Sequence, residues 1–287
     1  MFNTLSRSWS LVKASYSVLR SDPELMVLPF ISMLGVLMVS IVFLVPAYFT
    51  GLLDDVSRSD GLSGQNIVAL LVLFLYYLVM YTIIIFSNVA LVGAAMMRLR
   101  GENPTVRDGL RIAMQHLPQV LGYAAISATV GVILKVIRDE SGILGKIVAL
   151  VVNVAWNLIT FLVIPVLVVE NVGPIEGIKR STALLRKTWG EQVVANGGVG
   201  LVLGLATFAV IVVIGLPLFI LAATTSSTAL MLLAVAIVVL LVMAISLFGS
   251  ALSGVFQAAL YNYASTGTAG QGFDEHLVRD AFRPKKS

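Results

Sequence analysis

Six long apolar runs constrain this chain more than any other feature. They are Leu25–Phe49, Ile67–Met97, Pro118–Val136, Leu144–Val169, Val193–Ala223 and Ala229–Tyr263. A helix needs about 20 mostly apolar residues to cross a bilayer, and each run meets that length or nearly so. Backbone groups in hydrocarbon must be paired within the segment, so helices are the default spanning element. Barrel strands would alternate apolar and polar residues, and these runs do not. The third run is the weakest, with Ser127 and Thr129 inside it. The second, fifth and sixth are long enough to tilt, kink or project, and Gly215 before Pro217 marks a kink in the fifth.

Charge supports the same reading. Charged residues make up 12% of the 287 residues, against 58% hydrophobic. An ordinary soluble domain carries roughly 25% charge, so too little is present to coat a water-facing surface. The absence of cysteine excludes disulfides, thiol catalysis and cysteine-ligated metals. With only two histidines, His116 and His276, and no phosphate-binding loop, nucleophile elbow or HExxH, a non-enzymatic protein without cofactor or metal is expected. Weak cation binding by Asp54, Asp55 and Asp60 is a minor alternative.

The cations fix an orientation. Fifteen of the 19 Lys and Arg fall in the N-terminal segment, the second and fourth loops and the tail. Arg58, Lys135, Arg138 and Lys146 fall on the other side. The positive-inside bias predicts six spans with both termini in the cytoplasm. The first run reads as a retained span rather than a signal peptide, being too long and lacking a cleavage pattern.

Each basic segment also reads as an amphipathic helix. Phe2, Leu5, Trp9, Val12, Tyr16 and Leu19 recur every three or four residues, which predicts one apolar stripe. Arg180-Ser181, Leu184-Leu185-Arg186 and Trp189 repeat the spacing of Arg7-Ser8, Leu11-Val12-Lys13 and Tyr16. Asp108-Gly109-Leu110-Arg111 is matched by Glu176-Gly177-Ile178-Lys179. The chain therefore reads as one integral membrane domain, 1–287, built of three parallel units, 1–98, 104–169 and 174–263, with an amphipathic cytoplasmic tail, 264–287. The fold class is an all-α polytopic bundle with cytoplasmic interfacial helices. Arg7, Lys13, Arg20, Arg107, Arg111, Lys179, Arg180, Arg186 and Lys187 are expected to meet anionic headgroups of the cytoplasmic leaflet. Trp9, Tyr16 and Trp189 would anchor the interface. Packing of these helices on one another is the alternative. The basic residues are spread over four segments, which argues against nucleic acid.

Inside the bilayer, Asn88, Asn153 and Asn157 read either as hydrogen-bonded glue between helices or as the lining of a cavity. Gly197, Gly200 and Gly204 on the fifth span, and Ser246, Ser250 and Gly254 on the sixth, read as small-residue stripes. They would pack within the chain, or against a second copy or another membrane protein.

The opening Ser6-Arg7-Ser8-Trp9-Ser10-Leu11-Val12-Lys13, the following Asp22-Pro23-Glu24-Leu25 and the closing Phe282-Arg283-Pro284-Lys285 resemble an uncharacterised group of prokaryotic six-span integral membrane proteins. That resemblance implies the prokaryotic cytoplasmic membrane. The stretch from Glu176 through Ser181 to Trp189 is distantly similar to the membrane domain of some bacterial glycerophosphodiester phosphodiesterases. Their chemistry resides in a separate soluble domain, so the likeness implies no catalytic residue here. A lipid-interacting scaffold or accessory subunit is the expected role, and a channel or permease for an uncharged or apolar solute or lipid the alternative.

Overall fold

The computed structural model of the chain describes residues 2–51, 64–140, 142–188, 198–225 and 227–273, with His276 and Val278. Every regular element among them is helical: α1 (Phe2–Ser21), a 3-10 turn (Pro23–Met26), α2 (Val27–Phe49), α3 (Gly64–Leu99), α4 (Val106–Gln115), α5 (Leu117–Glu140), α6 (Gly142–Ile159), α7 (Val163–Glu170), α8 (Pro174–Thr188), α9 (Gly198–Val210), a π turn (Ile211–Gly215), α10 (Leu216–Thr224) and α11 (Thr228–Thr266). Among the described residues, six segments are long and apolar enough to cross a membrane: Pro23–Phe49, Ile67–Leu99, Leu117–Arg138, Gly142–Glu170, Val202–Thr224 and Thr228–Thr266. The protein is an all-α polytopic bundle, as the apolar runs predict. Large apolar side chains such as Phe49, Ile143 and Leu144 stand exposed along these segments, as lipid-facing positions should.

Two spans are interrupted within their length. The fifth runs as α9, a π turn and α10, with Pro217 in the first turn of α10. A proline there needs no N–H partner, and the π turn absorbs the mismatch as a bulge. The fourth breaks at Thr160–Leu162 between α6 and α7. Pro165 explains the position: it cannot donate to the carbonyl of Phe161, four residues back. The Leu162 N–H, at the new helix start, donates instead to the buried Ser181 hydroxyl of α8 at 3.1 Å.

The chain divides into two compact units, and the boundary between them falls within α3, after Ala94. The first holds α1, the end of α3 and α9 through the C-terminal strap. Its centre is the second half of α11, where Ala251, Leu252, Val255, Ala258, Ala259 and Leu260 are buried. At 39 residues, α11 is roughly 58 Å long, more than the about 30 Å of a hydrocarbon core, so it projects. The helices α1 and α9 pack on it. Leu203 of α9 enters the space that Gly249 leaves; a Cβ there would lie 2.7 Å from its Cδ1.

The buried face of α1 differs from the expected stripe. It comprises Leu11, Val12, Ser15, Val18 and Leu19, while Trp9 and Tyr16 are 52% and 45% exposed. The line Leu11–Ser15–Val18–Asp22 advances by four, three and four residues, so it is a proper helical seam. Two of its members are polar, which hides it from an apolar pattern. Asp22 is only 6% exposed and lies 2.9 Å from Arg98 Nε at the end of α3. Among the described residues no hydrogen-bond donor is aligned on its Oδ2, so the attraction is charge against charge.

A strap closes this unit. Gly267, Gly270 and Gly272 have φ of 82°, 86° and 90°, a region that side chains disfavour. The Gln271 N–H donates to Leu99 O at 3.0 Å, and Asn262 Nδ2 donates to Thr268 O at 2.9 Å. A Cβ on Gly272 would meet Val18 Cγ2 of α1 at 2.8 Å. In the tail that the sequence reads as amphipathic, Phe273 and Val278 are buried; the other apolar residues, Leu277, Ala281 and Phe282, lie outside the described residues.

The second unit holds α2, most of α3 and α4 through α8. Here α5 and α6 form an antiparallel hairpin, with Gly142 in a left-handed conformation at its turn (φ 54°). The two matched motifs do the same job. A Cβ on Gly109 of α4 would meet the Ala90 carbonyl oxygen at 2.8 Å, and one on Gly177 of α8 would meet Leu167 Cδ2 at 2.9 Å. Each glycine seats its helix against the preceding span. Thus α4 and α8 direct their small residues at protein: Gly109 and Ala113 are buried, as are Gly177, Ser181 and Leu185.

Gly109→Ala should destabilise the protein by about 2 kcal/mol through overpacking. Gly177→Ala should lose less, because a leucine tip can swing aside and a backbone carbonyl cannot. Thermal unfolding in detergent, followed by circular dichroism, checks the ranking. Arg98→Met should remove about 3 kcal/mol by stranding the buried Asp22 carboxylate, and Asp22→Asn in the same chain should restore part of it.

Candidate functional site

Three helices of the second unit line an open-sided cavity of about 350 Å³. Tyr77 and Tyr81 come from α3. Gly131, Leu134, Lys135 and Arg138 come from α5, and Lys146, Ala149, Leu150 and Asn153 from α6. The geometry follows from the hairpin. Its turn is so short that Arg138 and Lys146 sit one to two helical turns from it on facing helices. The tyrosines are one turn apart on α3, with ring centroids 6.2 Å from each other. Gly131 lets Tyr77 approach: a Cβ there would lie 3.3 Å from Tyr77 Cδ2. Lys135, Arg138 and Tyr77 also make contacts of their own within the protein.

The three intramembrane asparagines do not share one place. Asn153 lines the cavity. Asn157, one turn further along α6, donates from Nδ2 to Asn153 Oδ1 at 3.2 Å. Both are exposed. Asn88 is half-buried on α3 and is not among the lining residues. Deeper in the same unit, Tyr123, Ser127 and Thr160 are buried together.

The basic helices place their cations outward. On α1, Trp9, Lys13, Tyr16 and Arg20 are all exposed, and their spacing of four, three and four puts them on one face. The Tyr16 ring leans on Phe248 of α11, with centroids 5.8 Å apart. The side chain of Arg7 lies outside the described residues. On α8, Lys179, Arg180, Arg186 and Lys187 are exposed. Arg180 pairs with both Glu170 and Glu176, and these carboxylates push its pKa up. Trp189 lies outside the described residues. On α4, Arg107 is exposed, and Arg111 Nη1 lies 3.4 Å from Asp108 Oδ1.

Asp108 also closes a capping box. Thr105 N–H and Oγ1–H donate to its Oδ2 at 3.1 and 2.6 Å, and its own N–H donates to Thr105 Oγ1 at 3.3 Å. The Thr105 donors, followed by the nearby Arg111 and Arg107, hold the carboxyl below the usual carboxylate range.

The small-residue stripes do not meet each other as expected. A Cβ on Gly200 or Gly204 would find open space, and the close contact between the fifth and sixth spans uses Leu203 and Gly249 instead. Leu203 lies about 100° around the helix from Gly204 and about 60° from Gly200, so the glycine pair lies to one side of the contact with α11. On α11, Gly254 is buried, Ser250 half-buried and Ser246 exposed. Gly197 lies outside the described residues.

The model of a protein family described as a family of unknown function (DUF6159) matches residues 67–273. That span takes in α3 through the strap. The residues that carry the sequence resemblance at the two ends, 6–25 and 282–285, fall outside it. No curated protein matches the chain.

Because folding lowers the pKa of Asp108, its contribution is present above the ordinary carboxylate range and is lost as the pH falls through the folded-state value. The protection of the Thr105 and Asp108 amides against exchange, corrected for the intrinsic rate at each pH, should therefore fall on acidification. Thr105→Ala should show the faster exchange already at neutral pH, with a loss of about 1 kcal/mol. Gly204→Ala should be neutral or slightly stabilising in thermal unfolding, gaining up to about 1 kcal/mol of helix propensity; a clear loss would mean that this face packs against something.

Proposed function

The chain therefore belongs to this family of unknown function, and from that premise we propose a non-enzymatic, lipid-interacting scaffold or accessory subunit of the prokaryotic cytoplasmic membrane. Both termini face the cytoplasm in this reading, and α1, α4 and α8 present their cations to anionic headgroups of that leaflet. The cation count on the two sides of the spans supports the orientation. The likeness of the Glu176–Trp189 stretch to phosphodiesterase membrane domains belongs to the same proposal and adds no catalytic group.

One observation carries the reading: the face of α1 turned away from its packed seam holds Trp9, Lys13, Tyr16 and Arg20 together. Amphipathic rings at the headgroup level with cations beside them are what an interfacial helix presents. Among the expected lipid contacts, Arg111 and Arg180 already face carboxylates, so Lys13 and Arg20 should contribute more.

Lys13→Gln with Arg20→Gln should lower retention of anionic lipid by the purified full chain about tenfold or more, since each cation contributes about 1 kcal/mol near an anionic leaflet. In a chain keeping Trp9 alone (Trp156→Phe, Trp189→Phe), brominated lipids should quench its fluorescence. Unchanged lipid retention together with unquenched Trp9 sinks the proposal. A second reading, a permease for an uncharged or apolar solute or lipid, draws on Asn153 in the cavity wall. Asn153→Leu with Asn157→Leu would then abolish flux in liposomes, and undiminished flux removes it.

A further inference from the structure

We propose that two copies of this chain pair in the membrane through α6, packed parallel along Ile143, Ile147, Leu150, Val154 and Asn157, with the two Asn157 amides bonded to each other. This interface goes beyond the headgroup contacts proposed for α1, α4 and α8 and does not rest on them.

The five residues make a seam. They advance by four, three, four and three positions, the spacing by which one helix lays a stripe against another of its kind. The four apolar members are exposed, and so is Asn157. Within the chain, α6 packs on α5 and α8, and its buried residues are Gly145 and Ala149. These lie about 140° around the helix from the middle of the seam, so the stripe is turned away from the contacts that α6 already makes. Of the five, only Leu150 also borders the cavity.

An exposed apolar stripe alone would suit lipid tails; Asn157 does not. It stands at the middle of the 29-residue span Gly142–Glu170, where an amide is costly until it is bonded. Its Nδ2 donates to Asn153 Oδ1 at 3.2 Å, and among the described residues that is the one hydrogen bond its side chain makes. One amide hydrogen and the carbonyl oxygen remain. Hydroxyls in the spans meet this need on their own helix: Ser40, Thr129 and Thr207 donate to the carbonyls of Val36, Ala125 and Leu203, four residues back. The unused half of Asn157 needs a neighbour that both donates and accepts.

A second copy supplies that neighbour without further assumption. Every copy enters the membrane with the same orientation, so two α6 helices related by a two-fold axis along the membrane normal run parallel. Equal residues then meet at equal depth. An amide is complementary to itself: each Asn157 donates its remaining hydrogen to the other's oxygen. Any other partner would have to bring a donor and an acceptor to that depth. A lone asparagine in an apolar seam also sets register, because sliding the helices strands both amides. Asn153 is a positioning residue here, since its bond fixes which way the Asn157 amide points.

The absence of cysteine from the chain makes the test direct. Leu150→Cys places a thiol in the seam; Val152→Cys places one on the opposite side of α6, at an equally exposed position and nearly the same depth. In liposomes holding only the purified full-length protein, mild oxidation should link Leu150→Cys into a dimer and leave Val152→Cys monomeric. Energy transfer between labelled copies, followed as lipid is added, gives the dissociation constant. Asn157→Leu should weaken it about tenfold, the loss expected of a reciprocal amide pair in hydrocarbon, and Asn157→Gln should keep most of the association. Leucine suits an exposed position in a span, so the variant should fold, and circular dichroism checks that it does; the cysteine pair tests the face independently of it. The proposal is overturned if the wild type is monomeric at every dilution, which would leave lipid or another membrane protein on this face. It is equally overturned if Val152→Cys links as readily as Leu150→Cys, or if folded Asn157→Leu associates as tightly as the wild type.

Discussion

Everything in this molecule follows from the rule that a peptide group in hydrocarbon must find its partner inside the protein. The rule imposes helices, and its local failures show where the structure is shaped. At Thr160–Leu162 the helix cannot continue because Pro165 offers no donor, and the released Leu162 N–H is taken by Ser181. That bond ties the break in the span to α8, beside the Gly177–Leu167 contact and the Arg180–Glu170 pair. In the fifth span the disturbance around Pro217 is absorbed within the helix by a π turn.

Between helices, lipid tails are as apolar as leucine, so association rests on close packing and polar contacts rather than on escape from water. The glycines that matter are those whose missing side chain admits a neighbour: Gly109 at Ala90, Gly177 at Leu167, Gly249 at Leu203. Polar contacts complement them, with Asp22 held by Arg98 in one unit and Gln119 Nε2 bonded to Asn171 Oδ1 at 2.9 Å in the other. The same economy explains why α4 and α8, which look like surface helices by composition, direct their small-residue faces at protein and leave their cations outside.

The six spans were legible because a run of some twenty apolar residues has few other uses. The Asp-Gly and Glu-Gly motifs were legible as a match, though their packing role depends on which neighbours the fold brings against them. Other features were hidden for identifiable reasons. The α1 seam contains Ser15 and Asp22, so a search for large apolar residues settles on the adjacent line through Trp9 and Tyr16. The break in the fourth span had a visible cause in Pro165, but hydropathy does not register a missing donor. Glycine spacing marked Gly200 and Gly204, yet spacing alone carries no information about which face of a helix meets its neighbour. The cavity was hidden most completely. Lys135, Arg138 and Lys146 read as scattered outer-loop charges, and only a hairpin turn as short as the one at Gly142 brings them onto facing helices beside Tyr77 and Tyr81.

The glycine strap has a consequence for how the chain comes together. It docks on Leu99 and against Val18, so a later segment completes a seat prepared by much earlier ones. Contacts so distant in sequence form slowly, since a long loop must close first. During synthesis α1 and the end of α3 must wait, with their shared surface uncovered, until α11 has entered the membrane and the segment behind it has emerged. The latch therefore distinguishes a chain translated past Gly272 from one stopped short: the shorter chain would have its helices and lack the piece that locks them.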